Sequence, residues 1–191
     1  MRMKIFKIVT ILAIITAGTV APSLAYYYSL GIGSGGKAEE KSLTLEIGKR
    51  EVKIGQRRFL VGMGIPFINH SDKHIPSDTI GSPYENSDYL SLGRKPEGIE
   101  TGLVGKLGFN RFHPDVYLSV LGGMTRVHEI HLVQSPHTKY YYEQSSDNKL
   151  YGIFGLSVGY FPVLFDWNMK LNLQLDLDNR RGVTGHLGWS W

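Results

Sequence analysis

An unbroken alternation close to the end of the chain constrains its fold more than any other feature. From Met169 the apolar residues Met169, Leu171, Leu173, Leu175 and Leu177 occupy one parity, and Lys170, Asn172, Gln174, Asp176 and Asp178 occupy the other. Successive side chains of a strand point to opposite faces, so this segment predicts a strand between a greasy and a wet environment. A tight turn, Asn179-Arg180-Arg181-Gly182, leads into a second alternating run. There Val183, Leu187, Trp189 and Trp191 oppose Thr184, His186, Gly188 and Ser190.

The first 25 residues are of a different kind. Arg2, Lys4 and Lys7 form a positive head, Ile8 to Ala21 is apolar, and Ser23-Leu24-Ala25 supplies a small-x-small cleavage site before Tyr26. This is the pattern of a removable export signal, and its apolar part falls short of the roughly 20 residues that a spanning helix needs. The mature chain is therefore expected to be residues 26–191. Once the three basic residues of the head are set aside, 18 of the 21 Lys and Arg remain against 17 Asp and Glu. That near-neutral balance removes the clustered positive surface on which nucleic-acid binding rests, and no nucleic-acid partner is expected. The chain has no cysteine, which excludes thiolate catalysis and cysteine-held metals.

Period-two patterning recurs along the rest of the sequence. Tyr26, Tyr28, Leu30 and Ile32 alternate with Tyr27, Ser29, Gly31 and Gly33, and Leu43, Leu45 and Ile47 with Thr44, Glu46 and Gly48. Phe59, Val61, Met63, Ile65 and Phe67 share a third run, and Ile99, Thr101, Leu103, Gly105, Leu107 and Phe109 a fourth, opposed to Glu100, Gly102, Val104, Lys106 and Gly108. A fifth strand extends from Val116 to about Leu132, with a bulge expected at Gly122-Gly123. A sixth places Leu150, Phe154, Leu156, Val158 and Tyr160 on one face. Residues 68–98 and 134–148 lack sustained alternation and are expected to be long polar loops. The tally is an all-β, eight-stranded, antiparallel up-and-down transmembrane barrel, each strand near the roughly 9 to 11 residues of a tilted crossing. The connections after the first, third, fifth and seventh strands are longer on average, as expected when both ends of the chain lie on the periplasmic side.

The export signal, the eight alternating runs and the terminal Gly188-Trp189-Ser190-Trp191 resemble the small outer-membrane β-barrel proteins of Gram-negative bacteria, the OmpA/OmpX type of domain. The resemblance covers residues 26–191 in pattern rather than in a diagnostic motif. It implies residence in the cell outer membrane, contact with outer-membrane lipids including lipopolysaccharide, and delivery by the barrel-assembly machinery. Trp189 and Trp191 would serve as the assembly signal, although that signal usually ends in phenylalanine.

An eight-stranded barrel is only wide enough for side chains to fill it. The inward parity supplies Glu46, Glu100, Lys106, Lys170, Asn172, Gln174, Asp176 and His186, which are expected to form an interior network of both signs that closes the lumen. The leading expectation is therefore a structural or surface-interaction protein acting through extracellular loops 68–98 and 134–148. No residue pattern specifies the extracellular ligand. One alternative is an enzyme that modifies lipid A, for which His128, Glu129, His131, Ser135 and His137 are the weak catalytic candidates near the outer rim. Against it, the His-x-Ser-Asn type of segment carried by the deacylase family is missing. A second alternative is a secreted lipocalin-like barrel, which would turn the apolar parity inward around a ligand. No cofactor is expected, because no phosphate-cradling glycine motif is present. No metal is expected either, since His70 and His74 with Asp72, or His128 with Glu129, lack tight ligand spacing.

Overall fold

The computed structural model describes residues 26–36, 40–54, 57–70, 75–83, 88–163 and 169–190. The expected export signal and Trp191 lie outside the described residues. Eight strands follow in chain order: β1 (Tyr26–Gly35), β2 (Glu40–Ile54), β3 (Arg57–His70), β4 (Leu90–His113), β5 (Val116–Gln134), β6 (Tyr141–Tyr160), β7 (Lys170–Asp178) and β8 (Gly182–Ser190). Every neighbouring pair is antiparallel, and β1 pairs with β8 through Tyr27↔Ser190 to Ser34↔Val183, so the sheet closes into an up-and-down barrel. Closure leaves the barrel proper no unpaired edge.

Which parity faces out follows from burial. Leu30, Ile32, Met63, Ile65, Leu103, Leu107, Val120, Leu156, Leu175 and Leu187 stand exposed on the outer wall, while their sequence neighbours are buried or, at Gly102 and Gly155, half-buried. On β7 the leucines Leu173, Leu175 and Leu177 point outward and Asn172, Gln174, Asp176 and Asp178 inward. A lipocalin-like interior needs the reverse arrangement, so the apolar wall turns that reading around: the polar groups are sealed inside and the apolar ones need an apolar surrounding.

Strand length is where the structure departs most from the sequence pattern. β7 and β8 have 9 residues each, whereas β4, β5 and β6 have 24, 19 and 20. β3 stops pairing with β4 at His70↔Gly98, and β7 with β6 at Gly155↔Asp178. Beyond those points β4, β5 and β6 continue alone as a three-stranded ridge, with Leu90↔Gln134 and Gln134↔Tyr141 at its tip. The segments 68–98 and 134–148 are thus largely strand, leaving 71–89 and 135–140 as the connections between named strands. The reason is solvent. Above an apolar layer a strand no longer needs an oily face, so the alternation that marks a crossing disappears while the ladder persists.

Candidate functional site

The lumen is filled in three layers. At the end where β1 begins and β8 finishes, Tyr27, Leu60, Tyr117 and Phe161 form an apolar plug, all at 0–1 % exposure. Phe161 follows β6 and folds back inside, its ring edge-on to Tyr27 and to Tyr117 at 5.6 Å each. Gly48 and Gly62 make the room: a Cβ at Gly62 would collide with the Tyr27 hydroxyl, and one at Gly48 with the Tyr27 ring.

The middle layer is ionic. Lys106 Nζ lies 2.9 Å from Glu46 and 3.0 Å from Asp176, and donates to Gln174 at 2.5 Å. The Tyr27 hydroxyl donates to Glu46 at 2.6 Å. His186 Nε2 is 3.0 Å from Asp176, at ion-pair distance but off the line of a straight hydrogen bond. Glu46, Asp176 and His186 sit close enough together to hold a cation. Lys106 already places its ammonium between the two carboxylates, so the cluster carries its own positive charge. Arg181 extends this layer upward, donating to Asp178 at 2.7 Å and to Thr44 at 3.0 Å, and reaching Asp176 at 3.2 Å. Opposite the charges, Val104, Leu121 and Ile153 make a small apolar cluster.

The top layer centres on Glu100, which is completely buried. It accepts from Arg180 Nε at 2.9 Å, with a second contact to Arg180 Nη2, and from Thr125 at 2.5 Å, and His70 Nε2 lies 2.8 Å away. The Arg180 guanidinium stacks on Tyr151 at 4.4 Å, and the Tyr151 hydroxyl donates to Glu129. A buried carboxylate with three partners is the arrangement that burial of charge demands.

Six of the eight residues expected in the interior network, Glu46, Lys106, Asn172, Gln174, Asp176 and His186, are buried in or below the middle layer, and Glu100 lies in the top one. Lys170 stands apart: it pairs with Asp115 at the rim. Arg180, Arg181, Asp178 and His70 were not among the expected residues. Arg180 and Arg181 read only as part of a tight turn, and Asp178 Oδ1 accepts the backbone N–H of both, at 3.0 and 2.7 Å, and rolls the turn inward. The usable signal was an imbalance of charge, since inward Asp178 lacked a counter-ion on the strands.

The weak catalytic candidates do not converge. His128 faces Glu97 at 3.8 Å on the exposed side of the ridge, and Glu129 is turned to the opposite side, bonded to Tyr151. Ser135 belongs to the hairpin turn, its hydroxyl accepting from Thr138 N at 3.2 Å, and His137 is exposed in the same turn. His131 Nε2 lies 2.8 Å from Ser91 Oγ, a serine-histidine pair on the ridge with no carboxylate bonded to the imidazole among the described residues. Trp189 lies on the outer wall beside Leu187.

On the ridge, Asp147 lies between Lys149 at 3.1 Å and Arg94 at 3.4 Å. The hydrogen bond from Lys149, with its charge and that of Arg94, holds the Asp147 carboxyl below its ordinary range. The connection between β3 and β4 reaches across to the far side of β6: Ile80 N donates to Tyr141 O at 2.8 Å, and Tyr89 stacks edge-on against Tyr142 at 5.4 Å. Below that bridge, residues 144–151 of β6 have no strand partner on the side away from β5 among the described residues. Residues 90–97 of β4 likewise lack one on the β3 side.

No family model matches the chain, and no curated protein matches it. Among solved structures it is similar to Ail, the attachment invasion locus protein of Yersinia pestis, crystallised in complex with the heparin analogue sucrose octasulfate. Identity is 10 %, the match covers 87 % of this chain and 92 % of that one, and the TM-score is 0.38.

Proposed function

We propose that the chain is an exported outer-membrane barrel whose lumen is structural and whose external ridge binds partners at the cell surface. One observation carries the reading. An apolar outer wall surrounds a charged, filled interior, and three strands outrun that wall to present two open backbone edges. A ring with oil outside and ions inside is at home in a bilayer, where each misplaced outward charge at the midplane would cost about 2–4 kcal/mol. Open edges are liabilities unless they are used, because unpaired N–H and C=O groups template the addition of another strand. The free stretch Gln144-Ser145-Ser146-Asp147-Asn148-Lys149 is polar and charged, which suits recognition of extended peptide segments and discourages self-stacking. Lipopolysaccharide would then be the surrounding solvent of the upper wall, and the barrel-assembly machinery the route of insertion.

The test uses a variant in which residues 130–146 are replaced by Asn-Gly, closing the hairpin at the Glu129↔Asp147 pair. Both forms are expected to fractionate with outer membranes and to migrate faster unheated than boiled. Cells carrying the full chain are expected to adhere to immobilised extracellular proteins, and cells carrying the shortened hairpin to lose that adhesion. Equal adhesion by both removes the surface-binding role, while recovery of unboiled material free of detergent removes the membrane assignment.

A further inference from the structure

Arg50 is the one lumenal arginine or lysine without a carboxylate partner among the described residues. Alternation with Thr44 and Glu46 turns it inward, and β2 breaks beside it. The ladder with β3 shifts between Lys49 and Val52, and Glu51 takes φ 58°, a left-handed conformation unusual for a side-chain-bearing residue. Glu51 pairs with Arg58 at 3.3 Å on the outside, while Arg50 enters the lumen with 4 % exposure.

Inside, the guanidinium lies over the Phe161 ring, 5.1 Å from its centroid. A ring face attracts the cation but leaves the N–H groups in the guanidinium plane free. Nε and Nη1 are buried and bond to nothing. The hydroxyl of Tyr117, on the same plug and within the field of Arg50, is buried and unbonded as well. The carboxylates whose fields reach Arg50 are both engaged elsewhere, Glu51 by Arg58 and Asp115 by Lys170. A water molecule could satisfy the donors but would leave the charge uncompensated. An anion does both.

We propose that the floor of the lumen is a binding site for a small inorganic anion of the halide class, held by the Nε–H of Arg50 with the Tyr117 hydroxyl as a second donor. The site is separate from the ridge, so its failure leaves the surface-binding role untouched. Two measurements on the full chain refolded in detergent test it. Crystals soaked in sodium bromide are expected to show an anomalous peak within hydrogen-bond distance of Arg50 Nε. At constant ionic strength, bromide or chloride is expected to raise the unfolding midpoint above that in gluconate for the wild type, and to leave Arg50→Met indifferent to the salt. Tyr117→Phe, which keeps the cation, is expected to weaken the apparent affinity for bromide about ten-fold. No bromide peak at Arg50, or an equal salt response in wild type and Arg50→Met, overturns the proposal. If Arg50→Met does not fold, an unchanged bromide affinity in Tyr117→Phe overturns it instead.

Discussion

Lys106 illustrates how much a single lumenal side chain can hold. Its ammonium meets Glu46, Asp176 and Gln174, and it is 4 % exposed. Removing one partner of a buried ion cluster leaves the others charged and without compensation, at a cost of about 3–5 kcal/mol. Lys106→Met is therefore expected to lower unfolding stability in urea by about that amount, while Lys106→Met combined with Glu46→Gln and Asp176→Asn recovers much of the loss. Equal stability of the single variant and the wild type would show that the charges are relieved by water rather than by each other. These residues were legible in the sequence because parity alone placed them: a strand with Leu173 and Leu175 outside must put Gln174 inside. Arg180 and Arg181 were not legible, because a turn carries no parity and their direction is fixed by the Asp178 carboxylate. The contact of Ser91 with His131 was equally hidden, since it depends on the register of a protruding hairpin in which Ser91 stands opposite Val133.

The ridge shows how an element survives where its pattern is lost. β6 pairs with β7 only through Gly155–Tyr160, and just above that point Asn179 substitutes for a missing strand. Its side-chain amide accepts from Phe154 N at 2.9 Å and donates to Gly152 O at 3.0 Å, copying the pair of bonds that a backbone amide would make. Asn179→Ala is expected to cost about 0.5–1.5 kcal/mol, and to speed amide exchange at Phe154 while leaving Leu156 and Val158 protected by β7. Exchange rates unchanged at Phe154 would mean that the ladder ends there by itself. The long strands were read as loops at 68–98 and 134–148 because hydrophobic alternation reports an apolar surrounding, not pairing as such. Outside the apolar wall, Ser145, Ser146, Asp147 and Asn148 continue β6 with no oily face to betray it. The wall itself, from Leu30 around to Leu187, was readable throughout.

At the scale of the molecule, the lumen is closed by three layers in series, one apolar and two ionic. The plug of Tyr27, Leu60, Tyr117 and Phe161 is apolar and edge-packed, whereas the layer above it is held by Lys106, Arg181 and four acidic or histidine side chains. With the top layer around Glu100, a path for ions requires all three to open, because any one alone blocks a passage no wider than the side chains that fill it. The barrel reconstituted in a planar bilayer is therefore expected to pass no steady current. Lys106→Ser, which breaks only the middle layer, is expected to stay closed, and so is Phe161→Ala, which loosens only the plug. The form expected to conduct joins both with Glu100→Ala, which removes the carboxylate that gathers Arg180, Thr125 and His70. Current through the Lys106→Ser variant alone would show that neither the aromatic layer nor the one around Glu100 seals. The rings would then be a hydrophobic anchor for β1, β3 and β5 rather than a gate, and closure would rest on Lys106 and its partners.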